Sequence, residues 1–374
     1  MEKLPRSQNS RDPYLRKDLE AELHISRGKV ATGGALELPA SPVRPLTQVP
    51  QLLPIATAQR GMWMGEKIGP ADAVYKLAEY VDIRGHIDAA VFLRATSILT
   101  QEAESTRVQI IETADGPRQL VAEAYMGELP VVDFSSHADA EQRALRWMND
   151  ELRRPADLAD DTLWFSALIK VEDERFFWYH RCHHITIDGF GGGLIARRMA
   201  EIYNALLSGE EPGESPFLPL VTQLEQEKLY RESARFERDR DYWKQQLSGL
   251  PDAISLSRRN AQRSGGLRRS GITLSLEHSA KIRDIAQQYG GSVPQLLIAM
   301  LAFYTYRMTG QQDLVFGMPV TARANRTLRS IPAMMANAVA IRLAMADDAS
   351  LVDLLGQTAK TVRNALRHQQ YRYE

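Results

Sequence analysis

Residues 178–193 read WYHRCHHITIDGFGGG, and this stretch indicates how the fold is built around it. Three of the eight histidines of the chain lie within five positions of one another here. The pattern predicts a strand over residues 175–184 and a helix that runs from Asp188-Gly189 to about Leu207. A corner between a strand and a helix can present an imidazole at a cleft, with a carboxylate close by.

Four interpretations of this corner are open. Because side chains alternate along a strand, His180, Cys182 and His184 would share one face and His183 would point to the other. These residues could be a structural cluster of satisfied histidines, or zinc-type ligands together with Asp188, although their spacing is unfamiliar. The glycines could form a phosphate-binding loop, but position 194, where G-x-G-x-x-G needs its third glycine, is Leu. General base catalysis by one histidine is favoured, and we predict that the chain binds no metal.

The composition sets limits on the class of protein. The 374 residues are more than one compact core usually contains, so two lobes are expected. The 46 basic and 47 acidic side chains give a net charge of −1, which argues against a broad nucleic-acid-binding surface. The single cysteine excludes an internal disulfide framework. No apolar stretch resembles a signal peptide or a membrane span, so we expect a cytoplasmic protein without membrane or nucleic-acid partners.

Working outward from the corner, both halves of the chain mix helices with strands. Further helices are predicted over residues 88–103, 140–152, 220–247, 278–289 and 293–308 and from 350 onward, and further strands over 106–112, 118–122, 163–171, 314–318 and 337–343. The predicted class is therefore α/β or α+β with two lobes. Residues 1–50 are polar and then rich in Gly, Pro and Ala, which indicates a flexible extension with a short helix near residues 18–23.

The corner also resembles a known family. His183-His184-Ile-Thr-Ile-Asp188-Gly189 matches the HHxxxDG motif of nonribosomal peptide synthetase condensation domains, a motif shared with other acyltransferases of the chloramphenicol-acetyltransferase superfamily. Further stretches resemble condensation motifs in the family order: TAQRGMWM with Gln59 and Trp63, ESTR ending at Arg107, DLVFGMPVTAR ending at Arg323, and residues 331–342 with Asn337. The resemblance spans about residues 53–370. AQRGMWMGEKI, WYHRCHHITIDGF and RHQQYRYE are similar to domains of siderophore-type synthetases.

The resemblance implies an architecture of two chloramphenicol-acetyltransferase-like lobes in a V, with a tunnel between them. Residues 51–225 would form the N-terminal lobe with the HHxxxDG motif, and residues 226–374 the C-terminal lobe. Nothing in residues 344–374 resembles the remaining strands of the family's second lobe. We therefore expect the C-terminal lobe to be incomplete, poorly stable and weakly active at this length.

The resemblance also implies a reaction. Such domains form an amide bond between an acyl, aryl or peptidyl thioester on one carrier protein and an aminoacyl acceptor on another. The expected partners are the two carrier proteins and an adjacent adenylation domain, and the phosphopantetheine arms come from the carriers, so the chain itself binds no cofactor. Two alternatives stay open: a free-standing acyltransferase with a soluble acceptor, and a non-catalytic scaffold that binds carrier proteins.

Residue roles follow from the same resemblance. His184 would lie close to the attacking amine as a base or as a positioning dipole, and the backbone N–H of Gly189 would donate to the developing oxyanion. His183, Asp188, Arg323 and Arg107 would support the site, with Asp188 and Arg323 forming an ion pair, whereas Gln59, Trp63 and Asn337 would be tunnel or motif positions. No Ser or Cys occupies a matching nucleophile position, so direct transfer is expected. Phe190-Gly191-Gly192, Ala333, Met335 and Ala336 depart from the usual motif residues.

Overall fold

A computed structural model describes residues 51–68, 75–256 and 270–373. The helix expected near residues 18–23 and the flexible extension lie outside the described residues. The described chain divides into two compact units. The N-terminal unit contains the described residues up to 229 together with Arg323–Met335, and the C-terminal unit contains the described parts of Tyr230–Ala322 and Ala336–Tyr373.

The N-terminal unit contains two sheets and four helices, and a fifth helix crosses its boundary. Its strands are β1 (Gln51–Pro54), β2 (Lys76–Arg84), β3 (Val108–Thr113), β4 (Gly116–Val121), β5 (Val131–Asp133), β6 (Trp164–Glu172) and β7 (Arg175–His183). Its helices are α1 (Thr57–Ile68), α2 (Ala89–Glu102), α3 (Ala140–Arg153) and α4 (Gly189–Leu207), and α5 (Leu220–Arg231) follows them. The strand orders are β2-β7-β6-β5 and β1-β4-β3. Only β5 and β6 pair in parallel within these two sheets of the described chain.

Helices cover both faces of the four-stranded sheet. On one face α2 and α4 pack Phe92, Leu99 and Ile202 against Trp178 of β7. On the other face α3 packs against the neighbouring strand residues Phe177 and Tyr179. Because apolar side chains fill both faces, β6 and β7 read as nearly continuous apolar runs. Cys182 near the end of β7 and Ile187 just before α4 belong to the same apolar cluster.

Local signals explain most element boundaries in this unit. Asp88 begins α2 as its N-cap, and its side chain accepts hydrogen bonds from the backbone N–H groups of Ala90 and Val91. The turn between β3 and β4 ends at Gly116, whose φ of +99° is a conformation that glycine adopts without strain. The helix and the hairpin predicted from these residues are confirmed.

The C-terminal unit contains helices around a two-stranded antiparallel sheet. Its elements are α6 (Ala234–Gln246), α7 (Leu276–Gln288), α8 (Val293–Thr309), β8 (Asp313–Val320), β9 (Asn337–Ala344) and α9 (Leu351–Arg367). The single helix predicted over residues 220–247 is wrong in one respect, because it is divided into α5 and α6. Ser233 caps the second helix by accepting from the Phe236 N–H, which stops the first helix before it.

The segment 323–335 joins the unit that precedes it in sequence. It leaves the C-terminal unit after Ala322, packs within the N-terminal unit, and returns at Ala336. The contiguous division into residues 51–225 and 226–374 that the sequence predicts does not include this exchange. In the part of the chain that the structure describes, no helix is both long and apolar enough to cross a membrane.

Candidate active site

The histidine pair lies where β7 ends. The His183 N–H donates to the Leu163 carbonyl at 2.8 Å, and the His184 N–H donates to the Tyr75 carbonyl at 2.6 Å. The strand stops at His183, one residue earlier than predicted, and His184 begins the turn that leads into α4. The shared strand face expected for His180, Cys182 and His184 therefore does not extend to His184.

His183 is buried, and both of its ring nitrogens have partners. Its Nδ1 accepts from the Ile185 backbone N–H at 3.1 Å, and its Nε2 lies 3.2 Å from Glu66 Oε1. Burial lowers the pKa of His183 below its ordinary value, and the hydrogen bond to Glu66 opposes that effect in part. This histidine is therefore enclosed and neutral at pH 7.

His184 is partly exposed, and its ring has a different set of partners. Its Nδ1 lies 3.0 Å from the Ile187 carbonyl oxygen. Because a carbonyl can only accept, Nδ1 carries the proton and Nε2 of the neutral ring holds a lone pair. Among the two histidines of the motif, His184 is thus the one that offers an acceptor nitrogen.

Asp188 connects the start of α4 with the segment 323–335. Its Oδ1 accepts from the Gly191 N–H at 2.9 Å, which makes Asp188 the N-cap of α4. Its Oδ2 accepts from Arg323 Nη1 at 2.7 Å and from the Met335 N–H at 2.9 Å. Both side chains of the ion pair are buried. The pairing of Asp188 with Arg323 that was predicted from sequence is confirmed.

The same segment packs closely on the first turn of α4. Arg323 also donates to the Ala333 carbonyl at 2.9 Å, and its guanidinium lies 4.7 Å from the centre of the Phe190 ring. A Cβ at Gly191 would come within 2.7 Å of Ile187 Cγ1 and 3.1 Å of the Ala333 nitrogen. Glycine at position 191 is therefore required for this close approach.

Gly189 occupies the first turn of α4, where backbone N–H groups have no acceptor within the helix. A Cβ built on Gly189 meets no atom of the described residues within 4 Å. The space beside this residue is open, and Gly189 lies at the positive end of the helix dipole.

Two further motif residues act as structural anchors. Gln59 on α1 is buried, accepts from the Ala56 N–H at 2.7 Å, and donates to the Ile185 carbonyl at 2.9 Å. Arg107 ends a short 3₁₀ helix and donates only to backbone carbonyls, among them those of Thr100 and Gln101. Burial lowers the pKa of Arg107. Gln59 thus touches the histidine corner, whereas Arg107 bonds to the last turn of α2 and to the carbonyls of Ala122 and Glu123.

Trp63 and Asn337 belong to different units of the chain. Trp63 lines a cavity of about 420 Å³ with residues that include Arg60 and Arg118. Asn337 lies in the C-terminal unit, where its amide donates to the carbonyls of Gln369 and Tyr371 at 2.9 and 2.8 Å. Among the described residues no group of three or more His, Cys, Asp or Glu side chains is arranged to hold a metal ion.

Sequence reasoning missed Glu66, which contacts His183. A signal for it exists, because Glu66 lies seven residues after Gln59 and therefore two helical turns along the same face of α1. That spacing identifies a shared face and does not identify which element the face meets.

The chain is similar to known proteins along most of its length. A family model described as the condensation domain matches residues 49–374. The dimodular nonribosomal peptide synthase of Bacillus subtilis (strain 168) is 36% identical over 317 residues, which are 85% of this chain and 13% of that protein. Enterobactin synthase component F of Escherichia coli O157:H7 is 32% identical over 328 residues, which are 86% of this chain and 25% of that protein. The chain thus spans a quarter or less of the length of these relatives.

Solved structures of similar fold are also condensation domains. The starter condensation domain of rhizomide synthetase RzmA matches with a TM-score of 0.79 and 33% identity, over 86% of this chain and 73% of that one. The first condensation domain of the calcium-dependent antibiotic synthetase matches with a TM-score of 0.80 and 27% identity, over 86% of this chain and 76% of that one. The mixed class and the chloramphenicol-acetyltransferase-like fold predicted from sequence are confirmed by these matches.

Proposed function

Because the chain belongs to the condensation-domain family of nonribosomal peptide synthetases, which form amide bonds, we propose that it transfers an acyl, aryl or peptidyl group from one carrier protein to an aminoacyl amine on another. Donor and acceptor would each arrive as a phosphopantetheine thioester. The similarity to enterobactin synthase component F supports a siderophore-type product. A cytoplasmic location and an adjacent adenylation domain remain predictions.

The observation that carries the proposal is the hydrogen bond between His184 Nδ1 and the Ile187 carbonyl. It leaves Nε2 as a lone-pair acceptor at the partly exposed corner, where an acceptor amine can reach it. As the amine attacks the thioester carbonyl, its proton passes to Nε2 and then to the departing thiolate. The C–N bond forms and the C–S bond breaks without change of oxidation state.

The start of α4 suits the other charge that develops in this reaction. The thioester carbonyl oxygen becomes negative as the amine adds, and the Gly189 N–H at the positive end of α4 can donate to it. The open space beside Gly189 leaves room for the donor. Asp188 and Arg323 would act through structure, because their hydrogen bonds hold the first turn of α4.

The one cysteine of the chain supports direct transfer. Cys182 is buried, and burial raises the pKa of its thiol to about 12, so it stays protonated and shielded at pH 7. It is therefore unsuited to act as a nucleophile that would form an acyl-enzyme.

The test is amide formation by the full chain with donor and acceptor groups loaded on separate carrier proteins. We expect a new amide on the acceptor carrier, detected by intact-protein mass spectrometry, and no acyl adduct on the chain. Product formed equally well from a soluble amine would favour a free-standing acyltransferase. Carrier binding without any product, over a panel of aryl and acyl donors, would favour a non-catalytic scaffold.

A further inference from the structure

We infer that Glu66 is a positioning residue, which through His183 fixes the place of His184 in the site. The inference rests on the proposed function of His184 and adds to it Glu66, a residue to which the family resemblance assigns no role.

The hydrogen bonds of His183 determine its tautomer. The Ile185 N–H is a donor and lies 3.1 Å from Nδ1, so Nδ1 must be the unprotonated nitrogen. The proton of the neutral ring is then on Nε2 and needs an acceptor in a buried place. Glu66 Oε1 at 3.2 Å is that acceptor. The Glu66 carboxylate therefore satisfies Nε2 of the His183 ring, and the Ile185 backbone N–H satisfies Nδ1.

Helix α1 holds the chain on both sides of His184. Glu66 contacts His183 before it, and Gln59, two turns earlier on the same helix face, donates to the carbonyl of Ile185 after it. The backbone N–H of His184 is bonded to the Tyr75 carbonyl and its Nδ1 to Ile187. Movement of His183 would therefore be passed directly to the imidazole that we place beside the amine.

The charges around His183 agree with a neutral ring. Burial lowers the pKa of His183 most, Glu66 on α1 raises it, and His184 and Lys76 on β2 lower it further, so the net direction is downward. The ring of Tyr75 lies 6.1 Å away. With His183 neutral, a proton that arrives on His184 meets no positive charge on the adjacent ring.

The test compares Glu66→Ala and Glu66→Gln in the full chain, with Glu112→Gln as the matched control. Glu112 also pairs with a side chain of α1, Lys67, but it is exposed. Glutamine keeps an oxygen that accepts from His183 Nε2, whereas alanine preserves the helix and removes the acceptor. We expect Glu66→Ala to lower kcat on the order of 10²-fold with KM for both carriers unchanged, the size of effect that small misplacement produces. Glu66→Gln should stay within several-fold of the parent, and Glu112→Gln should match it.

A second measurement does not depend on activity. Nitrogen-15 spectra of the labelled histidines should show His183 protonated on Nε2 and His184 on Nδ1, and Glu66→Ala should disturb the His184 signals while the melting temperature stays within a few degrees. Wild-type kcat in Glu66→Ala, equal losses in the two Glu66 variants, or a His183 ring protonated on Nδ1 would overturn the inference. Full activity of His184→Ala would instead reject the proposed function, and the spectra would still report on the Glu66 contact.

Discussion

Each unit of the chain contains a buried aspartate near a histidine, and the two regions use them differently. In the C-terminal unit Asp239 Oδ1 lies 2.7 Å from His368 Nδ1, and Asp239 Oδ2 accepts from the Tyr230 hydroxyl at 2.8 Å. In the N-terminal unit Asp188 bonds to Arg323 and to two backbone N–H groups, and none of these three bonds involves His184.

The hydrogen-bond partners of each histidine, and not its residue type, distinguish a structural histidine from a candidate base. The His368 ring stacks on Tyr242 with centroids 4.0 Å apart, and the His368 carbonyl accepts from Trp243 Nε1. His368 therefore attaches the C-terminal segment to α6. His184 is held by its backbone and by one ring nitrogen, which leaves the other nitrogen for chemistry.

The largest expected effect is on the rate after removal of the base. His184→Ala should lower amide formation about 10²–10⁴-fold, the usual contribution of a general base, and leave the melting temperature unchanged. The matched control is His368→Ala, which should keep the parent kcat per folded molecule. Turnover by carrier-loaded substrates measures both. If the two variants lost the same amount of activity, the distinction between the regions would fail.

The next effect is on stability, at the aspartate of the N-terminal unit. Asp188→Ala takes the Asp188 carboxylate away from the buried Arg323 guanidinium, which should cost about 3–5 kcal/mol of unfolding free energy. Urea titration measures the change, and kcat should fall with it because the first turn of α4 loses its cap. Asp173→Ala removes an exposed carboxylate that pairs with Lys170, and should leave the urea midpoint unchanged. A Tm for Asp188→Ala equal to that of the parent would contradict the buried pair.

A smaller effect on stability is expected at the contact between His368 and Asp239 in the C-terminal unit. His368→Ala removes one hydrogen-bond partner of the buried Asp239, and should cost about 1–3 kcal/mol. Urea denaturation followed by tryptophan fluorescence measures the change, and Trp243 contributes to that signal beside His368. An unchanged midpoint would show that the pair contributes little to stability.

The smallest effect concerns pH and His183. Its pKa is lowered below the ordinary value of 6.5, so the folded chain binds fewer protons there than the unfolded chain once the pH falls below that value. The free energy of unfolding should therefore decline as the pH falls through about 6.5 toward the lowered pKa. Above that window His183 should not contribute to the pH dependence of stability. His183→Asn, which keeps an acceptor but does not titrate, should flatten this slope between pH 7 and 5. The same pH dependence of stability in the parent and in His183→Asn would contradict this prediction.

The sequence by itself determined the mixed fold class, the strand–turn–helix corner, the hairpin that turns at Asp115-Gly116 and the family, because these depend on local spacing and on residues close together in the chain. The resemblance also supplied the pairing of Asp188 with Arg323. Neither source indicated that the strand ends before His184, since alternation alone would continue it.

Only the tertiary structure decided which histidine keeps a free ring nitrogen and which residues hold it in place. Glu66 and His183 are 117 positions apart, and Asp188 and Arg323 are 135 positions apart. Contacts over such separations leave no local period in the sequence, because they depend on how helices and loops pack. For the same reason, the sequence did not predict that segment 323–335 joins the N-terminal unit or that Asn337 bonds to the C-terminal segment. The spacing of residues in the sequence identifies which side chains share a helix face, and only packing determines which other residues that face contacts.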